Sequence, residues 1–73
     1  MKVIRSPILY EAELFNSKGN IPKWAIPIAD FYFINSKYGQ IILNDGDWIV
    51  KDPMGWTERY SADDFDTFFE RVE

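Results

Sequence analysis

The residues most able to do chemistry in this 73-residue chain are carboxylates, and they crowd its end. In SADDFDTFFERVE, Asp63, Asp64, Asp66 and Glu70 lie close together. Paired carboxylates serve as metal ligands and as general acid and base. The same pattern has a structural use. Ser61 followed by Asp64 is a capping-box-like pair, and acids in a first helical turn are favoured by the helix dipole. Capping and solvation are the stronger reading, partner binding comes second, and metal binding or catalysis last. NDGD, Asn44 to Asp47, resembles the opening of a calcium loop. It lacks the spacing and the bidentate Glu that closes such a loop. A β-turn explains it, because Asp and Gly are what tight turns need.

Other chemistries find no residues to carry them. The chain contains no Cys and no His. Disulfides, Cys-based zinc or redox sites and His acid/base catalysis are therefore excluded. Ser, Thr and Lys are present, but no base pairs with them by spacing. No Gly-rich loop is set to cradle a phosphate. Trp24, Trp48 and Trp56 would need interleaved cations to act as a base-stacking platform. The eight Lys and Arg residues are scattered instead. Core packing accounts for Trp24 and Trp48. Trp56, beside a Gly turn, is the one to be partly exposed and to serve as an interface anchor. The expectation is a protein that is not an enzyme and takes no metal and no cofactor.

Length and composition bound the rest. A chain this short is one domain, 1–73, and buries only about 60% of its unfolded surface. Stability must come from apolar packing, which 6 Phe, 4 Tyr and 3 Trp supply. The formal charge is −4. That argues against a nucleic-acid backbone or an anionic membrane as main partner. MKVIRSPILYEAE has no apolar run of signal-peptide length, and nothing approaches a membrane span. A soluble protein of the cytoplasm is expected.

The elements that must position these residues are legible as patterns. ILYEAELF, Ile8 to Phe15, reads as a strand that Pro7 precedes, and NSKGN as a loop. In NIPKWAIPIAD, Asn20 suits an N-cap and Pro22 a first-turn position, so a short helical turn near Pro22–Ile26 is expected to carry Trp24 inward. DFYFINS and YGQIILN read as a hairpin closed by NSKYG. NDGD turns the chain into DWIVKD, with Gly46 supplying a positive φ. PMG turns it again into WTERY. Phe65, Phe68, Phe69 and Val72 fall on one helical stripe, which needs a sheet to lie on. The fold class is therefore α+β. We expect a small antiparallel sheet of about four or five strands in a meander, with a C-terminal amphipathic helix packed on it.

Two blocks resemble a family of small bacteriophage proteins. RSPILYEAELFN resembles that family's opening of a basic residue, Pro, an apolar pair, Glu-Ala and an aromatic. GDWIVKDPMGWTERYSADDFDTFFERV resembles its ending, a Gly-Asp-aromatic strand, a turn, a strand and an acidic helix start with Phe. The likeness covers both ends and roughly half the chain. DPMG stands where the family has a single Gly turn, and Gly19 to Gln40 matches only loosely. The family includes an RNA-polymerase-binding inhibitor and antiterminator of a lytic Xanthomonas phage. The resemblance implies a regulator in the host cytoplasm that contacts the N-terminal region of the β′ subunit of host RNA polymerase, with β as a second candidate.

Such a regulator needs no catalytic residue, because it acts by occupying a surface or stabilising one conformation. Two contact routes follow. One uses the helix acids Asp63, Asp64, Asp66 and Glu70 with Trp56, Glu58 and Tyr60. The other uses an unpaired edge strand near Val3 to Ser6, with Ile4 and Arg5, adding to an extended segment of the partner. The alternative is a phage anti-defence protein that sequesters a nucleotide signal or inhibits a host nuclease. Lys2, Arg5 and Lys51 are its only plausible cationic contributors. A nucleic-acid mimic is a third class, for which −4 is a modest charge.

Overall fold

The computed structural model describes residues 1–72. It has the expected α+β architecture, but the strands divide between two antiparallel sheets. The first contains β1 (Lys2–Arg5), β2 (Ile8–Leu14), β6 (Trp48–Lys51), β7 (Thr57–Tyr60) and β8 (Glu70–Arg71), in the order β7-β6-β2-β1-β8. The second contains β3 (Ile26–Ile28), β4 (Phe31–Ser36) and β5 (Gly39–Ile42), in the order β3-β4-β5. One helix, α1 (Ala62–Phe68), joins β7 to β8.

The single meander is therefore corrected. β4–β5 and β6–β7 are hairpins as expected, but β5 does not pair with β6. The turn at NDGD decides this. Gly46 has φ +92° and Asp47 N–H donates to Asn44 O at 3.0 Å. The turn is then tied to the end of β2: Gly46 N–H donates to Phe15 O, and Phe15 N–H to Asp47 O, at 2.9 and 2.8 Å. The Asp45 carboxylate adds bonds from the Ser17 N–H and hydroxyl at 2.8 and 3.1 Å. β6 is thereby laid against β2, with Leu14 opposite Trp48 and Glu11 opposite Lys51.

The segment Pro22–Ile26 is corrected as well. It forms one hydrogen-bonded turn, Ala25 N–H to Pro22 O at 3.0 Å, and then enters β3. Asn20 does not cap a helix. Its side-chain amide donates to Leu14 O at 2.6 Å and closes the preceding loop. Pro27 sits opposite Tyr32 in β3, an edge strand, where a missing N–H is tolerated.

β6 feeds two cores because its side chains alternate between faces. Trp48 and Val50 join Val3, Ala12, Phe65 and Phe69 beneath the helix. Ile49 points the other way and joins Phe15, Ala25, Ile34 and Leu43 between the sheets. The Thr57 hydroxyl, donating to Asn35 O at 3.0 Å, and Arg59 Nη1, donating to Ile42 O at 2.8 Å, also link the sheets. The outer face of the second sheet carries Ile26, Ile28, Phe31 and Ile42, all exposed. Phe33 is covered there by its cross-strand neighbours Ile26 and Ile42.

Helix α1 begins where the sequence indicates. Ser61 is extended and its hydroxyl accepts the Asp64 N–H at 3.2 Å. The stripe, however, is narrower than expected. Phe65 is buried at 1% exposure, but Phe68 is 43% exposed. Phe69 is buried from an extended backbone just past the helix, and Val72 lies beyond it. The chain leaves the helix early because Glu70 and Arg71 pair with β1.

Candidate functional site

The helix side of the first sheet gathers most of the residues that the sequence singles out. Tyr10 from β2, Tyr60 from β7 and Phe69 meet edge to face. Their ring centres are 5.3 Å (Tyr10–Phe69) and 5.1 Å (Tyr60–Phe69) apart. Phe68 adds an edge contact to Tyr60 at 6.3 Å, and the Arg5 guanidinium lies 5.0 Å from the Phe68 ring. Edge-to-face and cation–π geometry both follow from the ring quadrupole.

This aromatic wall separates two concavities. One, of about 380 Å³, brings together Ile4, Arg5, Asp66, Phe68 and Glu70. The two contact routes read from the sequence therefore converge on one surface at this point. Asp66 faces Arg71 at 3.9 Å, an exposed pair of little energetic weight. The strand route itself is corrected. β1 is not an unpaired edge, because β8 covers it with Val3 opposite Arg71 and Ile4 opposite Glu70. Val72 N–H extends this pairing to Lys2 O at 3.1 Å. Val3, the start of the supposed edge, is fully buried.

The other concavity, of about 340 Å³, holds Trp56, Glu58 and Tyr60 on one strand side and Tyr38 at the β4–β5 tip. Trp56 is 41% exposed, as an interface anchor requires. Its position is fixed by Asp52, whose Oδ1 accepts the Met54 and Trp56 N–H groups at 3.0 and 2.9 Å. Asp63 and Asp64 are exposed at the helix start and line neither concavity. Sequence reasoning missed Tyr10, Tyr38 and Asp52. The one available signal was Tyr38 in the NSKYG turn, where an aromatic has little core to enter; it is 88% exposed.

The Tyr60 hydroxyl titrates above its ordinary value of 10.0. Burial is the main cause and the Glu58 charge adds to it, while Arg5 opposes it. The native state thus holds this proton more tightly than the unfolded chain. The resulting stability is present below pH 10.0 and is lost as pH rises through the raised native value. We expect tyrosinate absorbance to place the Tyr60 ionisation above its ordinary value of 10.0. Tyr60→Phe removes it, and Arg5→Ala shifts it further upward. A Tyr60 ionisation at or below its ordinary value of 10.0 contradicts this placement.

Of the three cationic residues of the alternative reading, Lys2 and Lys51 share a concavity and Arg5 does not. Lys2 and Lys51 line a concavity that also contains Glu11 and Asp52, whereas Arg5 belongs to the surface beside Phe68. Trp48 is buried and stacks on Phe65 at 4.2 Å. Trp24 is only half-buried, against the second core, with Lys51 Nζ 5.7 Å from its ring centre. Among the described residues no group of three or more carboxylates is placed to hold a metal ion, and no helix is long and apolar enough to cross a membrane. In comparison with known proteins, no family model matches this chain, and neither does any curated protein or solved structure.

Proposed function

We propose that this chain is a non-enzymatic, phage-encoded binding protein that docks on host RNA polymerase, in the N-terminal region of β′. There it represses host promoters and promotes antitermination. The observation that carries the reading is a surface of exposed acids and exposed rings. Exposed Asp66, Glu70 and Phe68 stand on one side of the aromatic wall, and exposed Trp56 with half-buried Glu58 on the other. Acids steer the encounter with a basic patch, and rings supply affinity once buried. The net charge of −4 and the two sequence blocks shared in pattern with small phage proteins support the same reading.

The test is capture from a bacterial lysate with tagged chain. Retention of β and β′ is the expected result. Retention of a nuclease, or of an ultraviolet-absorbing nucleotide, replaces this reading with the anti-defence one. Reversing Asp63, Asp64 and Asp66 to Lys together should weaken polymerase binding by about tenfold or more, and by less at high salt. A folded triple variant that binds as well as the parent removes the helix acids from the interface.

A further inference from the structure

The concavity lined by Trp56, Glu58, Tyr60 and Tyr38 has a shape and chemistry of its own. We propose that it is a groove for an extended, proline-containing, basic peptide segment. The inference rests on reading the chain as a binding protein, and it names what the partner must present.

Three observations carry it. First, the rings are spread along a line. Trp56 immediately precedes β7 and Glu58 and Tyr60 lie within it, and these alternate residues line the same concavity. Trp56 and Tyr60 are four residues apart, a span of about 13 Å along a strand. A polyproline II segment advances about 3.1 Å per residue, so about four of its residues cover that span. A cage for a single quaternary ammonium would instead close its rings around one point. Second, the groove is already formed. Tyr60 is held by Phe68 and Phe69, Tyr10 by Phe69, and the Trp56 backbone by Asp52. A stiff ligand on preset rings binds with little ordering cost, which is how aromatic-lined grooves read proline-rich segments. Third, the charge is complementary to a cation. Asp52 and Glu58 line the groove against the single base Lys37. An arginine between the prolines meets these carboxylates.

The test uses the full chain, labelled with nitrogen-15, and a synthetic peptide of about ten residues carrying two Pro-Pro pairs and two arginines. A matched peptide has Ala in place of Pro. The expected result is a set of NMR shifts at the Trp56 indole N–H and at the Tyr10, Asp52 and Tyr60 amides. The Ala peptide should bind about tenfold more weakly, as should Trp56→Ala. Tyr38→Ala, at a residue with almost no core contact, should also weaken binding while leaving the folded spectrum in place. Absence of shifts at millimolar peptide overturns the proposal. So do shifts confined to Ile26, Ile28, Phe31 and Ile42 on the second sheet, or binding that both variants leave unchanged. Polymerase retained by a chain that ignores the peptide sinks the groove alone. Peptide bound in the groove without polymerase retention sinks the polymerase reading alone.

Discussion

Phe65→Ala lowers the stability of this fold by about 3–5 kcal/mol. Phe65 is 1% exposed and is the one buried side chain within α1. Its ring stacks on Trp48 at 4.2 Å with an interplanar angle of 5°, and on Phe69 at 5.5 Å. Truncation removes the ring and leaves a cavity that this thin core cannot refill without moving the helix. A domain of this size has about 4–11 kcal/mol in all. The variant should therefore melt tens of degrees below the parent and lose its near-ultraviolet tryptophan signal first. Phe68→Ala is the internal control. Phe68 is 43% exposed, so its loss should cost about 1 kcal/mol or less. Equal melting temperatures for Phe65→Ala and the parent would show that the helix is not seated on Trp48. A Phe68→Ala variant as unstable as Phe65→Ala would restore the broad helical stripe.

The second large effect is at Ile49. Ile49→Ala should cost about 2–5 kcal/mol, the range for a fully buried aliphatic side chain. Its position makes the consequence different. Trp48 and Val50, its neighbours in β6, serve the core beneath the helix. Ile49 alone of the three reaches the core between the sheets, against Ile34, Leu43 and Phe15. Removing it loosens the second sheet from the first, leaving Phe15 against Tyr32 at 5.5 Å and the Thr57 and Arg59 hydrogen bonds to hold them. Amide exchange should therefore rise over Phe31–Leu43 more than over α1. Phe65→Ala should show the reverse order. An Ile49→Ala variant whose exchange rises uniformly would mean that the two cores open only as one unit.

These two variants also mark what each half of the structure does for the candidate surface. The core beneath the helix sets Phe68 and Phe69, and through them Tyr60 and Tyr10. The core between the sheets holds the β4–β5 hairpin, whose tip presents Tyr38 to the groove. Binding through Trp56 and Tyr60 should thus fail with either variant, but for distinct structural reasons.

Local chemistry was readable from the chain. Ser61 and Asp64 announced the helix start because a hydroxyl and an N–H three residues on are enough to form the cap. Gly46, Gly39 and Gly55 marked turns because each takes a positive φ that other residues resist. The hairpins of β4–β5 and β6–β7 followed from those turns. The segment at Pro22 misled because Asn, Pro and an aromatic suit both a helix start and a turn into an edge strand. The stripe misled at Phe68 and Val72 because periodicity marks possible faces and cannot tell where the chain stops being helical.

By itself, then, the sequence determined the α+β class, the capped helix, the tight turns and the absence of cysteine and histidine chemistry, since all of these depend on residues near one another or on composition. Only the tertiary structure decided that β6 pairs with β2 rather than β5, that β8 closes over β1, and that Tyr10, Tyr38, Asp52 and Trp56 share a groove. Each of those is a pairing between distant segments. Several partners satisfy the same alternation of apolar residues, and the choice among them falls to the combined packing of both cores and the hydrogen bonds that anchor the Asn44–Asp47 turn to Phe15.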